Sequence, residues 1–174
     1  MGDASLVKKI LRLKREKGVT VLAHYYTAPV VQDVADFIGD SLGLAQMAEK
    51  SDSKKILFCG ARYMAETAAI LAPEKEILMA DSSVGCTVAQ SMSPNNIKEW
   101  RELNPDGIVI SYVNSSSEIK AASHICCTSS NALKIFSYIP EDKKILFGPN
   151  KNLANYVKEI TNREFDTWKG ECTI

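Results

Sequence analysis

Two cysteines sit where a metal could be held. Cys86 lies in Ser82-Ser83-Val84-Gly85-Cys86-Thr87, and Cys172 lies in Trp168-Lys169-Gly170-Glu171-Cys172. Both follow a glycine turn. A helical run from Thr87 to Met92 comes directly after Cys86, and a helix N-terminus favours the thiolate, which is the form a metal binds. The competing reading makes both of them small buried hydrophobes. The other three cysteines read as packing: Cys59 ends an apolar strand, and the adjacent Cys126 and Cys127 are poorly placed to turn toward one centre. His24 also ends an apolar run. An imidazole there is either a core residue with satisfied hydrogen bonds or a functional group. Ser41 and Ser129 each precede a helix. As caps they would satisfy its first N–H groups, and the same helix end offers N–H groups and positive dipole to a carboxylate or phosphate. His124, in a helix-like stretch, reads as a surface or structural residue.

The elements that must position these groups alternate between helices and buried strands, the mark of an α/β sheet. An amphipathic helix over 5–17, with Ser5 as its cap, ends at Gly18. Val19-Thr20-Val21-Leu22-Ala23 is a β-branched run suited to a parallel strand buried on both faces. The pattern predicts a helix from about Pro29 to Ile38, a second helix from Ser41 through Glu49, and a strand over 54–58. A helix over 63–71 and a strand over 77–80 complete the first half. The sequence then repeats itself, with a helix over 95–103 and a strand over 107–111. Set 88 residues apart, Val21-Leu22-Ala23-His24-Tyr25-Tyr26 falls on Val109-Ile110-Ser111-Tyr112-Val113-Asn114, and Ser41 falls on Ser129. Lys54-Lys55-Ile56-Leu57-Phe58 falls on Lys143-Lys144-Ile145-Leu146-Phe147, and Cys86 on Cys172, within three residues of the same offset. Four matched features in order make an internal repeat. Ligands of parallel α/β folds lie beyond the carboxyl ends of the strands. His24, Tyr112, Cys59-Gly60 and the turns leading to Ser41 and Ser129 all fall at such ends.

Composition narrows the function. Lys+Arg and Asp+Glu both total 21, so the chain lacks the basic excess that nucleic-acid binders usually carry. No apolar run is long enough to span a bilayer and no signal peptide is legible, so a cytoplasmic protein is expected. Myristoylation at Gly2 would want Ser or Thr where Leu6 stands. G-x-G-x-x-G, Walker, H-E-x-x-H and C-x-x-C patterns are absent, which removes the best evidence for nucleotide binding, zinc proteolysis and thioredoxin chemistry.

Six stretches carry a resemblance. HYYTAPVVQDVADFIGDSLGLAQMA, MAET at Met64–Thr67, VGC at Val84–Cys86, SYVNSSSEIKA, CTSSNA and WKGEC follow one another from about Val19 to near the end. Together they resemble the quinolinate synthase family, the iron–sulfur enzymes of NAD biosynthesis. The resemblance implies tandem three-layer α/β/α modules with parallel sheets, the first over 1–90 and the second over 91–174, as two of three pseudo-threefold repeats. It implies a [4Fe–4S] cluster held by one cysteine from each module, with Cys86 and Cys172 as the first two. The fourth iron, having no protein ligand, would act as a Lewis acid on substrate oxygen. The implied reaction condenses iminoaspartate with dihydroxyacetone phosphate, with loss of phosphate and water, to give quinolinate. An aspartate oxidase or dehydrogenase that supplies iminoaspartate is an implied partner. By position His24, Ser41, Tyr112, Val113, Asn114 and Ser129 match substrate contacts, and Tyr26, beside His24, matches a tyrosine assigned to proton transfer.

The chain also departs from the family pattern. It stops at Ile174, whereas the family continues with a histidine, a His-Pro-Glu segment, a threonine and the third cysteine. The expectation is therefore a truncated form without the third module. His124 and Asn150 stand where the family usually has aspartate. Two other readings accompany the enzyme: a non-catalytic remnant that keeps an anion or metal cleft, and a zinc or mononuclear iron site built from Cys86, Cys172 and His24.

Overall fold

The computed structural model describes residues 4–170. The chain divides into two compact units at Gly85/Cys86.

The first unit opens with α1 (Ala4–Lys17), which Gly18 ends in the left-handed conformation at φ 61°, as its position predicts. Ser5 lies inside the first turn of this helix. The chain then runs through β1 (Val19–His24), α2 (Pro29–Gln32), β2 (Phe37–Gly39), α3 (Ser41–Lys50), β3 (Lys55–Cys59), α4 (Arg62–Leu71) and β4 (Glu76–Met79). The four strands form one parallel sheet in the order β2-β1-β3-β4. Alternation along β1 and β3 turns Val21, Ala23, Leu57 and Cys59 to one face, where Val31 and Ala35 cover them. Leu22, Ile56 and Phe58 turn to the other and are wholly buried. There α3 packs on β1 and β2 and against α4, burying Leu44, Ala45 and Ala48 from one helix and Met64 and Ala68 from the other. Alanines let these helices approach closely. Lys75 closes the end of α3: its Nζ donates to the carbonyls of Ala48, Glu49 and Ser51, groups that a helix C-terminus leaves without intrahelical partners.

The second unit repeats this plan. After α5 (Thr87–Gln90) and α6 (Pro94–Leu103) come β5 (Ile108–Tyr112), α7 (Ser117–Ala122), β6 (Ile125–Cys127), α8 (Ala132–Ser137), β7 (Ile145–Gly148), α9 (Lys151–Thr161) and β8 (Asp166–Thr167). The sheet is again parallel, in the order β6-β5-β7-β8. On one face the rings of Phe136, Phe147 and Phe165 cluster with Ile110, Ile145 and Val157. On the other, Met92, Ile97 and Ile119 bury Val109 and Leu146. Each sheet is thus covered by helices, as the three-layer expectation requires.

The repeat is visible in the register itself. Leu22 pairs with Phe37 and Ala23 with Ile38; Ile110 pairs with Ile125 and Ser111 with Cys126. All four positions of the second set lie 88 residues after the first.

Two stretches expected to be helical are strand instead. The helix predicted from Pro29 to Ile38 stops at Gln32, and 37–39 form β2 instead. In the second unit, 125–127 form β6, so the stretch after His124 is strand and not helix. The cause is tertiary pairing. The Asp36 N–H donates to the Val21 carbonyl, and its Oδ2 accepts the Val21 N–H at 2.8 Å. His124 does the same with Val109: its N–H donates to the Val109 carbonyl, and its Nδ1 accepts the Val109 N–H at 2.9 Å. An imidazole has replaced a carboxylate as the clasp between two neighbouring strands.

That exchange has a pH consequence. Partial burial, followed by the nearby Arg101 charge, holds the His124 pKa below its ordinary 6.5; protonation would also take Nδ1 away from the Val109 N–H. The unfolded chain therefore binds the proton more readily than the folded one. Stability from this group is complete above about pH 6.5 and falls as pH drops toward the folded pKa. His24 shifts in the same direction. In His124→Asn the amide oxygen can still accept but does not titrate, so the acid-side slope of stability is expected to shrink to the part due to His24. Urea midpoints measured from pH 7.5 down to 5 check this; an unchanged slope rules the clasp out as its source.

Candidate functional site

In each unit the candidate residues gather at the carboxyl ends of the strands. In the first, His24 is the last residue of β1 and pairs with Gly39, the last of β2. Asp40 and Ser41 follow at once, and Gly60 follows β3. The chain is held tight at this end: Tyr25 N–H donates to the Gly39 carbonyl, and Thr27 N–H and Oγ1 both donate to the His24 carbonyl. A Cβ on Gly60 would stand 3.0 Å from Met64 Sδ, 3.3 Å from the Phe58 ring and 3.5 Å from the His24 Cβ, so β3 ends in a tight space beneath the histidine that a larger residue would enter only by displacing Met64 or Phe58.

The half-buried His24 ring lies 4.2 Å from the Tyr26 ring, and its Nδ1 accepts the Tyr26 N–H at 3.4 Å. Burial lowers its pKa, and the charge of Asp40 opposes the shift without reversing it. Near neutral pH the ring is therefore uncharged. With Nδ1 accepting, its proton sits on Nε2, which makes that nitrogen a donor to an oxygen in the site. Tyr26 is exposed as a residue, and its phenol donates to Met64 Sδ at 3.9 Å, a soft and weak acceptor.

Ser41 does not cap α3. Asp40 does, accepting the Gly43 N–H at 2.7 Å. Ser41 is the first helical residue, buried, with its hydroxyl 3.1 Å from the Tyr63 hydroxyl. Asp40 places a negative charge over the N–H groups that sequence reasoning offered to an anion, which makes this helix end a poor anion site.

In the second unit, Tyr112 ends β5 and pairs with Cys127, the equivalent of Gly39. Asn114 Nδ2 donates to the Tyr112 hydroxyl at 3.4 Å. Val113 N–H donates to the Cys127 carbonyl at 2.7 Å, leaving its half-buried side chain as what Val113 presents. Ser129 is exposed, in the turn before α8. That helix begins three residues later behind Asn131, so Ser129 is not its cap either. Asn150, the second departure from the aspartate pattern, caps α9 by accepting the Leu153 N–H at 2.9 Å. Like His124, it keeps an acceptor where the charge has gone.

The cysteines separate clearly. Cys59 and Cys127 are buried, and burial raises both thiols, that of Cys127 to about 12, which makes them poor thiolates. Cys126 is exposed, against the expectation of packing, with its sulfur 3.3 Å from the Ser111 hydroxyl. Cys86 is half-buried, free, and N-terminal to α5, where its carbonyl accepts the Gln90 N–H. Cys172 lies outside the described residues. Among those described, no three His, Cys, Asp or Glu side chains group to hold a metal ion. The mononuclear alternative draws on His24 in the first unit, Cys86 at the start of the second, and Cys172.

Sequence reasoning missed Tyr63. Its distance of 22 residues from Ser41 gives no periodic signal, and only the packing of α3 on α4 brings the hydroxyls together.

Residues 8–174 match the family model described as quinolinate synthetase A protein. A quinolinate synthase of Thermus thermophilus is 46% identical over 174 residues, covering 100% of this chain and 56% of its own length. That of Pyrobaculum aerophilum is 49% identical over 169 residues, 97% of this chain and 55% of its own length. That of Prosthecochloris aestuarii is 51% identical over 169 residues, 97% and 52% respectively. The chain spans about half the length of the curated relatives it matches. A match over nearly every residue, with parallel sheets that place its motifs at their carboxyl ends, means that this chain belongs to the quinolinate synthetase A protein family.

Proposed function

We propose that this chain supplies two modules of a quinolinate synthase that condenses iminoaspartate with dihydroxyacetone phosphate, releasing phosphate and water. The observation that carries the reading is the gathering of neutral donors and hydroxyls at matching strand ends. His24, Tyr26 and Ser41 stand in one unit, and Tyr112, Asn114 and Ser129 in the other, within a chain about half identical to enzymes named quinolinate synthase. Both substrates are anions with several oxygen acceptors. Hydroxyls, an amide and an imidazole with its proton on Nε2 bind such oxygens without the tight ion pairs that would slow release of an anionic product.

Of the two cysteines in this reading, Cys86 has the chemistry of a [4Fe–4S] ligand. Cys86 is a thiol left free at a helix start while the buried thiols are engaged in packing, which matches the soft donor that iron–sulfur centres take. Cys86 and Cys172 would hold it. When bound, the cluster supplies a Lewis-acidic iron for a substrate oxygen. The chain's own residues bind and orient the substrates. His24 donates from Nε2, Ser41 and Ser129 offer hydroxyls, the Tyr112–Asn114 pair fixes the second unit's polar edge, and Tyr26 holds or moves a proton at its phenol oxygen. A cytoplasmic location and an iminoaspartate-supplying aspartate oxidase or dehydrogenase belong to the same reading. Among the described residues, no helix is long and apolar enough to cross a membrane.

The test is assembly. The chain is mixed with a separate polypeptide corresponding to the unmatched remainder of the Thermus thermophilus relative, reconstituted anaerobically with iron and sulfide, and assayed for quinolinate. Turnover dependent on both polypeptides is expected. Cluster formation without turnover favours the non-catalytic remnant, and absence of any cluster removes the enzyme reading.

A further inference from the structure

The motif Met64–Thr67 has no part in the substrate contacts above, yet the first turn of α4 touches two of them. Tyr63 meets Ser41, and Met64 meets Tyr26. We propose that this turn is a positioning platform for the site: Tyr63 sets the Ser41 hydroxyl and Met64 sets the Tyr26 phenol. The inference rests on the reading of Ser41 and Tyr26 as site residues.

The chemistry favours this arrangement. A serine hydroxyl has one proton and two lone pairs, and left alone its proton rotates freely. A ligand carboxylate or phosphate needs that proton pointed at it. When Tyr63 donates to Ser41, one lone pair is satisfied and the serine proton is left to point toward the ligand; each bond in such a chain strengthens the other. Tyr63 can do this because it is itself fixed. Its ring is 6% exposed, and its carbonyl accepts from Thr67 Oγ1 at 2.7 Å. Met64 is 1% exposed and packs closely under Gly60, with its sulfur 3.0 Å from where a Cβ on that glycine would stand. Its thioether is weak enough to orient the Tyr26 proton without taking it.

Tyr63→Phe removes one hydroxyl and keeps the packed ring. In the assembled enzyme it is expected to raise KM about three- to tenfold for one substrate, with kcat within about twofold, the signature of lost uniform binding. That substrate is the one whose KM also rises in Ser41→Ala. The decisive measurement is the double variant: if Tyr63 acts through Ser41, Tyr63→Phe adds nothing in the Ser41→Ala background, whereas a merely structural role adds its full effect. Independently of activity, the chain alone, carrying ring-13C tyrosine, should show the Tyr63 Cζ resonance move in Ser41→Ala and stay in Ser129→Ala. Additive kinetics, or a resonance that ignores Ser41→Ala, overturns the platform. A Ser41→Ala variant with unchanged KM values instead removes Ser41 from the site, and the platform with it. If the assembled wild type makes no quinolinate, the functional reading fails and the resonance alone decides the contact.

Discussion

Phe147→Ala should cost the second unit about 3–5 kcal/mol, the usual loss for a wholly buried phenylalanine. Against a typical total of about 5–15 kcal/mol, that brings the unit close to unfolding. The residue sits on β7 beside Ile110 of β5, with its ring 5.8 Å from Phe136 and 6.1 Å from Phe165. Removing it deletes the transfer energy of the ring and also leaves the other two rings, 4.7 Å apart, facing a void. Strands on either side pin the backbone, so collapse around the void is limited and the upper half of the range is expected. Both tryptophans, Trp100 and Trp168, lie in this unit, so tryptophan fluorescence in urea reads its stability directly. Leu103→Ala, at a side chain 83% exposed, is the control and should stay within about 0.5 kcal/mol of wild type. A Phe147→Ala midpoint close to that control would mean the aromatic cluster is not the core described above.

Cys86→Ser should reduce iron and acid-labile sulfide in the assembled, reconstituted protein to under about a tenth of wild type, because a serine hydroxyl is neither soft nor ionised at neutral pH. The environment of the cysteines sets the controls. Cys126→Ser changes an exposed thiol outside the proposed cluster and should leave the iron content alone. Cys59→Ala removes a buried sulfur from the β3 core, so it should lower stability without changing iron bound per folded molecule. Full cluster content in Cys86→Ser, or its loss in Cys126→Ser, would sink the ligand assignment.

The strands that carry the site were legible because they are long and apolar. Val19 to Ala23 reads as a doubly buried strand; it is a strand, buried on both faces over 21–23 and half-buried at Val19 and Thr20. The 88-residue repeat, drawn from a few matched side chains, reappears residue for residue in the pairing of β1 with β2 and of β5 with β6. The three-residue edge strands were not legible. Phe37-Ile38 and Ile125-Cys126 are too short to show a period of two, and each follows a stretch that also fits a helix. Their form is fixed by Asp36 and His124 clasping the central strand, a contact across 15 residues. Capping was misread for a related reason. Asp40 and Ser41 are both good caps by type, and only the backbone decides which stands outside the helix. The exposure of Cys126 follows from its place on β6, an edge strand the sequence did not reveal.

The strand pairing has a consequence for how the chain is made. Every partner in the first sheet lies between Val19 and Met79, and every partner in the second between Ile108 and Thr167. Among the described residues, no strand waits on a distant stretch of sequence. Loop closure is correspondingly cheap for parallel sheets, which otherwise form slowly. On the ribosome the first sheet has all its strands before any of the second has been synthesised, so its apolar faces can be covered early rather than held open to aggregation.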